Sequence, residues 1–249
     1  MKQEYKKPII NEGDFHNVIE EAMKENRHVD YLKKVLQDYE IYKQFFETVF
    51  TDKNSPDDLY HFRANYLSKR PVWRDIVILG SQIFADLAEA IVYGMDWEND
   101  HMHGFGLPKD MTKKNWMFFT TTNVFYAPGW EDDPHPTYKS DQIRIADINY
   151  TLFPKMQFVF DFGDGHLFDI VLKEVTKPFE KESEKNFPML VDLRGVAPEQ
   201  YPDLDMKFVD GSDDEIIDDN CLACLDPKGE LNLVERLKEP KLKKKRIIN

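Results

Sequence analysis

Cysteine is nearly missing from this chain: two residues, Cys221 and Cys224, among 249. That is too few to staple a secreted scaffold, and such scarcity fits a reducing compartment. Their Cys-x-x-Cys spacing is half of a zinc site, but no second pair or following histidine completes a tetrahedral set, and a thioredoxin-like βαβ setting is lacking. Two ordinary thiols in the tail are the plainer reading. Long apolar runs are also missing. No stretch approaches the ~20 residues of a membrane span, and Met1–Pro8 leads into a polar helix rather than an apolar signal segment. A soluble, cytoplasmic chain without membrane contact is expected. Positive charge is in deficit: 33 Lys and Arg against 46 Asp and Glu give a formal charge of −13. Such a field repels phosphate and disfavours a general nucleic-acid or anionic-membrane binder, though a local basic patch stays open. Gly-rich phosphate loops and a Gly-x-Ser-x-Gly elbow are absent as well.

What is present is material for a core. With 41% hydrophobic and 13% aromatic residues, the chain can build one large globular domain, or one domain with a smaller appendage. Between Asp14 and Phe50, apolar residues recur at three-to-four spacing, first Phe15, Val18, Ile19 and Ala22, then Leu32, Val35, Leu36, Tyr39, Tyr42 and Phe46. This predicts two helices broken near Asn26–Asp30. The second carries an aromatic stripe (Tyr39, Tyr42, Phe45, Phe46, Phe50) suited to docking on the main domain or on a partner, the former being the plainer reading. Asn54-Ser55-Pro56-Asp57-Asp58 is a breaker cluster, so residues 1–56 read as a helical extension.

The main domain, 57–205, opens with β-rich runs at Leu59–Leu67 and Val72–Leu79. Ser81 then caps a predicted helix built on Phe84, Leu87, Ala88, Ile91 and Val92 and stopped at Gly94. Strands are predicted at His101–Leu107 and Trp116–Val124, and Tyr126–Ser140 reads as a Pro- and acid-rich surface loop. Gln142–Ile148 begins a short strand or helix. Met156–Phe162 and Leu167–Val175 form an antiparallel pair around the turn Gly163-Asp164-Gly165-His166. Residues 206–249 form a tail with opposite charge blocks: six acids and no base in Asp210–Asp219, six bases and one acid in Lys238–Arg246. Such blocks mark a solvated, partly ordered segment. The fold class is α+β, a mainly antiparallel sheet packed with helices behind an N-terminal helical segment.

Two segments concentrate chemistry. In the first, Trp97 to Phe105, His101 and His103 would leave one strand face together and share a ligand. A metal there needs a third ligand from Asp161, Asp164, His166 or His61. The plainer reading has each histidine holding a carbonyl or carboxylate. The His-x-His pattern also opens some metal-dependent hydrolase barrels, which this chain has too few later histidines to build. In the second segment, Asp161-Phe162-Gly163 matches a kinase triplet, but no other kinase signature accompanies it. A calcium loop starting at Asp161 would need Glu at its twelfth position, where Leu172 stands. What remains is a two-glycine turn whose carboxylates could bind a cation, pair with Arg74, or cap turn amides, the last being the better reading.

Laid out in order, these residues resemble the plasmid pRiA4b open-reading-frame-three-like family, found on plasmids, in transposable elements and in many bacterial and archaeal genomes. The resemblance covers about Leu59 to Tyr201. It rests on Leu59-Tyr60-His61-Phe62-Arg63 through Pro71-Val72-Trp73-Arg74, the helix from Phe84 to Ile91, Trp97 to Phe105, Phe160 to Asp164, Phe187-Pro188, and Gly195-Val196-Ala197-Pro198-Glu199. His166 stands where the family usually has Trp, and Pro198-Glu199-Gln200-Tyr201 replaces an expected Pro-Pro-Glu-Asp followed by Gly-Gly. The resemblance implies an α+β domain and an association with mobile elements. It implies fold more than activity.

The expectation is therefore a binding or interaction module whose groove lies between the two segments. Binding candidates are Trp97, Asp100, His103, Arg74, Phe105 and Glu199; Asp161, Asp164 and His166 are candidates for catalysis; His101 and His103 are candidates for a metal. No cofactor is expected unless a divalent metal sits at those histidines. The partner would be a protein or small-molecule ligand, with nucleic acid disfavoured by net charge. Alternative readings are a metal-dependent hydrolase of a phosphoester or nucleic acid, and a DNA-binding accessory using the Lys241–Arg246 run.

Overall fold

The computed structural model describes residues 6–10, 12, 14–108, 116–120, 137–178, 187–201 and 246–247. The alternation read in the sequence becomes one antiparallel sheet. Its strands are β1 (Leu59–Tyr66), β2 (Val72–Leu79), β3 (His103–Pro108), β4 (Trp116–Thr120), β5 (Lys155–Phe160), β6 (His166–Thr176), β7 (Met189–Arg194) and the two-residue β8 (Arg246–Ile247). They lie in the order β4-β3-β5-β6-β1-β2-β7-β8. In β1, Tyr60, Phe62, Ala64 and Tyr66 point into the core while His61, Arg63 and Asn65 point away, as a two-residue period requires. β6 does the same with His166, Phe168 and Ile170. The core-facing side buries a layer of rings: Phe105, Phe119, Phe158, Phe160 and Phe168. Among the described residues no helix is long and apolar enough to cross a membrane.

Helix α3 (Phe84–Gly94) lays Phe84, Leu87, Ala88, Ile91 and Val92 on that layer. Its cap is not Ser81. The helix starts later, with Ile83 as the cap residue, and Asp86 Oδ2 accepts from the Ile83 N–H at 3.1 Å. At its other end the buried Arg74 side chain of β2 donates through Nε to Gly94 O, a cation placed at the negative end of the helix dipole. Burial lowers the Arg74 pKa to about 10.

Two helices precede the sheet, α1 (Phe15–Lys24) and α2 (Val29–Val49), broken where the sequence places the break. Most of the aromatic stripe docks on the chain's own domain, while Tyr39 packs on Phe15 of α1. Phe46 and Val49 are fully buried in the main core; the Phe46 ring lies 4.6 Å from Tyr138, and Phe45 meets Phe153 at 5.6 Å. Tyr42 Oη donates to Phe118 O at 3.0 Å and covers part of the edge strand β4.

Three local expectations, the surface loop to Ser140 and the bounds of β5 and β3, need correction. The segment ending at Ser140 is not all surface loop: Tyr138 and Ser140 are buried, because Tyr138 joins the α2 stripe and Ser140 O accepts from Ala85 N at 3.1 Å. Residues 126–136 of that stretch, like 121–124 of the expected fourth strand, lie outside the described residues. Gln142–Ile148 forms a short 3-10 turn at Ile145–Asp147, where Asp147 holds the Arg144 guanidinium at 2.8 Å. Strand β5 stops at Phe160 because Asp161 adopts a left-handed backbone (φ 55°), and β3 begins only at His103. Of the tail's charge blocks only Arg246, in β8, is among the described residues, and both cysteines fall outside them.

Candidate functional site

One end of the sheet gathers the C-terminus of α3, the loop leading into β3, the β5–β6 turn and residues 195–201, which follow β7. Asp96 turns the chain after α3 through φ 66° and delivers Trp97 onto the sheet. The indole packs against His166 (ring centroids 4.3 Å apart), Tyr66, Phe160 and Phe168, and is 5% exposed. Its Nε1 donates to Pro198 O at 2.8 Å.

His166 is buried behind it. Gln200 O, 3.1 Å from Nε2, can only accept, so Nε2 carries the proton and Nδ1 of the neutral ring is left to accept from Tyr66 Oη at 3.4 Å. Burial lowers the His166 pKa, which keeps that arrangement neutral. The Gln200 side chain fastens the loop before β3: Oε1 accepts from Glu98 N at 2.6 Å, while Nε2 donates to Glu98 O at 2.8 Å and Asp100 Oδ1 at 2.9 Å. Tyr201 Oη donates to the second oxygen of Asp100.

Around this clamp lies a polar rim. His101 Nε2 stands 3.6 Å from Asp161 Oδ2 and 3.9 Å from Asp100 Oδ1, with its ring edge-on to Phe160 and Tyr201. Asp161 Oδ1 accepts from Gly163 N at 2.8 Å and Asp164 N at 3.3 Å, so this carboxylate caps turn amides as the better reading has it. Asp161→Asn, which keeps an acceptor and tolerates left-handed backbone, is expected to change unfolding free energy by less than about 0.5 kcal/mol. Asp161→Ala, losing both properties, should cost about 2 kcal/mol in urea denaturation.

The sequence-derived candidates therefore separate. Trp97, Asp100, His101, Asp161 and His166 meet at this end; Asp164 is exposed on the turn and Glu199 on the segment above. Arg74 does not approach the turn carboxylates. Its Nη1 reaches Trp73 O, Arg194 O and Gly195 O, so it grips the base of the same segment. Phe105 is a core ring between Phe84 and Phe158. The two histidines do not converge: His103 is buried, with Nε2 3.0 Å from Ser140 Oγ, whereas His101 precedes the strand on the rim. His61 sits on the opposite face of the sheet beside Asp75 and Glu174. Among the described residues no three His, Cys, Asp or Glu side chains are gathered to hold a metal.

Comparison with known proteins follows the same stretch. The sequence profile of the family described as Plasmid pRiA4b ORF-3-like protein matches residues 66–204, more than half of the chain. The chain belongs to this family. A crystal structure of a protein of unknown function from Methanosarcina mazei Go1 is similar at 23% identity and a TM-score of 0.45, covering 58% of this chain and 74% of that one. No curated protein matches the chain.

Within the Plasmid pRiA4b ORF-3-like stretch lie Tyr66, Arg74, Trp97, Asp100, His101, Asp161, His166, Gln200 and Tyr201, whereas α1 and α2 lie outside it. Sequence reasoning missed Gln200, whose carboxamide has four polar partners within 2.9 Å, and Ser140, the partner of His103. The one available signal for Gln200 was its place directly after the Pro198-Glu199 motif.

Proposed function

We propose that this family member is a binding module, working in the cytoplasm and associated through its family with mobile elements. Its ligand surface is the rim where the loop before β3 meets the β5–β6 turn. The observation that carries this reading is two exposed aromatic residues: Phe162 (49%), which follows Asp161 on the turn, and Tyr201 (47%), which bonds to Asp100 and lies edge-on to His101. Exposed rings among a few fixed polar groups are what a recognition surface uses. Among the described residues no serine, threonine or cysteine side chain bonds to the rim's histidine or to Asp100 or Asp161, which favours binding over hydrolysis. The carboxylates Asp100, Asp161 and Asp164 make it a poor seat for phosphate, which favours a protein or small-molecule ligand over nucleic acid.

Trp97 and His103 are buried, so the test belongs on exposed side chains. The combined variant Phe162→Ala/Asp164→Asn/Tyr201→Ala is expected to stay folded by circular dichroism and to lose, in affinity capture from the native host, partners that the unsubstituted chain retains. An identical partner set for both chains would overturn the reading.

A further inference from the structure

Helix α2 is covered along only half of its length. Residues 31, 34, 38, 41, 45 and 49 recur at three-to-four spacing, so they share one face. The main core takes the C-terminal half of that face through Phe45 and Val49. The N-terminal half runs past it. There Tyr31 is 64% and Ile41 40% exposed, and Tyr31, Val35, Tyr39 and Tyr42 line a hollow of about 330 Å³ with Phe15 of α1. Helix α1 lies to one side, where Phe15 and Ile19 meet Tyr39. A helix face kept for solvent has no use for tyrosine and isoleucine along its crest, and an exposed apolar stripe marked by fixed charges is how helices select a partner. Helix α1 and all of α2 lie outside the stretch shared with the family, so this half-open face is an addition to the family domain.

The charges on the open half select the partner. Lys34 and Asp38 also border the hollow, with Nζ 3.6 Å from Oδ2. From Tyr31 to Ile41, about 15 Å of helix, the crest therefore reads apolar, positive, negative, apolar. Turned about a two-fold axis midway between Lys34 and Asp38, this pattern falls on its own complement. Tyr31 of each copy meets Ile41 of the other, and Lys34 of each meets Asp38 of the other. A two-fold contact requires such self-complementarity. The formal charge of −13 makes whole copies repel one another, so a contact between them has to be carried by local pairing of this kind. We propose that the open half of α2 is a homodimer interface, formed by two antiparallel copies of the helix through Tyr31, Lys34, Asp38 and Ile41. The contact is small, which places its dissociation constant between about 1 µM and about 1 mM. A dimer carries two rims, so a partner with two matching surfaces is held by both. The interface itself does not depend on the binding-module reading.

The test is sedimentation equilibrium of the full-length chain from about 10 µM to about 1 mM. The unsubstituted chain is expected to move with concentration from 29.5 kDa toward twice that mass. Lys34→Glu leaves two carboxylates on the crest and Asp38→Lys two ammonium groups, so each variant alone is expected to dimerise at least about ten-fold more weakly. An equimolar mixture of the two is expected to recover the dimer, because every carboxylate then faces an ammonium group. Both side chains are exposed, at 73% and 63%, so neither substitution threatens the fold, and circular dichroism checks this. An unsubstituted chain that stays monomeric up to about 1 mM overturns the proposal. So does a dimer that both substitutions leave intact, since the copies would then meet elsewhere, and so does a mixture no more dimeric than its components. The rim is read separately by its captured partners, so the failure of one leaves the other standing.

Discussion

Trp97→Ala is expected to lower the unfolding free energy by about 4 kcal/mol, whereas Trp97→Phe should cost only about 1–2 kcal/mol. The difference follows from what the indole touches. Four rings from three strands, Tyr66, Phe160, His166 and Phe168, have centroids within 6.2 Å of it. Removing the side chain leaves a cavity they cannot close, since each is fixed by its own strand register. Phenylalanine refills most of that space and loses the Nε1–H bond to the carbonyl of the half-buried Pro198. Urea unfolding followed by far-ultraviolet circular dichroism gives both numbers. Equal losses for the two variants would mean that the hydrogen bond, not the packing, holds this end of the sheet. A loss below about 1 kcal/mol for Trp97→Ala would show that the end opens without disturbing the rest.

What was legible in advance follows the range of the interaction. Strands β1 and β2 were readable because Tyr60, Phe62, Ala64 and Tyr66 alternate with polar residues within eight positions, and the helix break near Asn26 because it interrupts a local period. The α+β class and the family followed from such local signals in order. The site was legible only in its pieces. Trp97, Asp100, Asp161 and His166 could be picked out by residue type, but Gln200 joins Glu98 and Asp100 across about a hundred positions, and no period or motif announces such a contact. The histidine pair shows the reverse error. A two-residue spacing puts side chains on one face only inside a strand, and the left-handed Asp96 together with the Glu98–Gln200 clamp keeps the chain out of the sheet until His103.

His103 is expected to make the protein less stable as pH falls below about 6.5. Burial against Phe105 and Phe158 lowers its pKa from 6.5 to about 3. In the unfolded chain the imidazole takes a proton as pH falls below about 6.5, while the folded chain refuses one until about pH 3. The unfolded state therefore binds more protons throughout that window. Stability falls there by about 1.4 kcal/mol for each pH unit from this group, and is independent of it above about pH 7. Carboxylates and His166 add acid dependences of their own, so the measurement is a difference. His103→Gln keeps a polar partner for Ser140 Oγ but cannot titrate. At pH 7 the variant should be the less stable chain, because glutamine fits an aromatic slot poorly and buries an amide. As pH drops toward 4.5 the gap should narrow by about 2–3 kcal/mol, since only the unsubstituted chain carries the histidine penalty while every other titration is shared. A gap constant from pH 7 to 4.5 would mean that the imidazole takes up its proton inside the fold, with the orphaned Nδ1 finding an acceptor that the described residues do not provide.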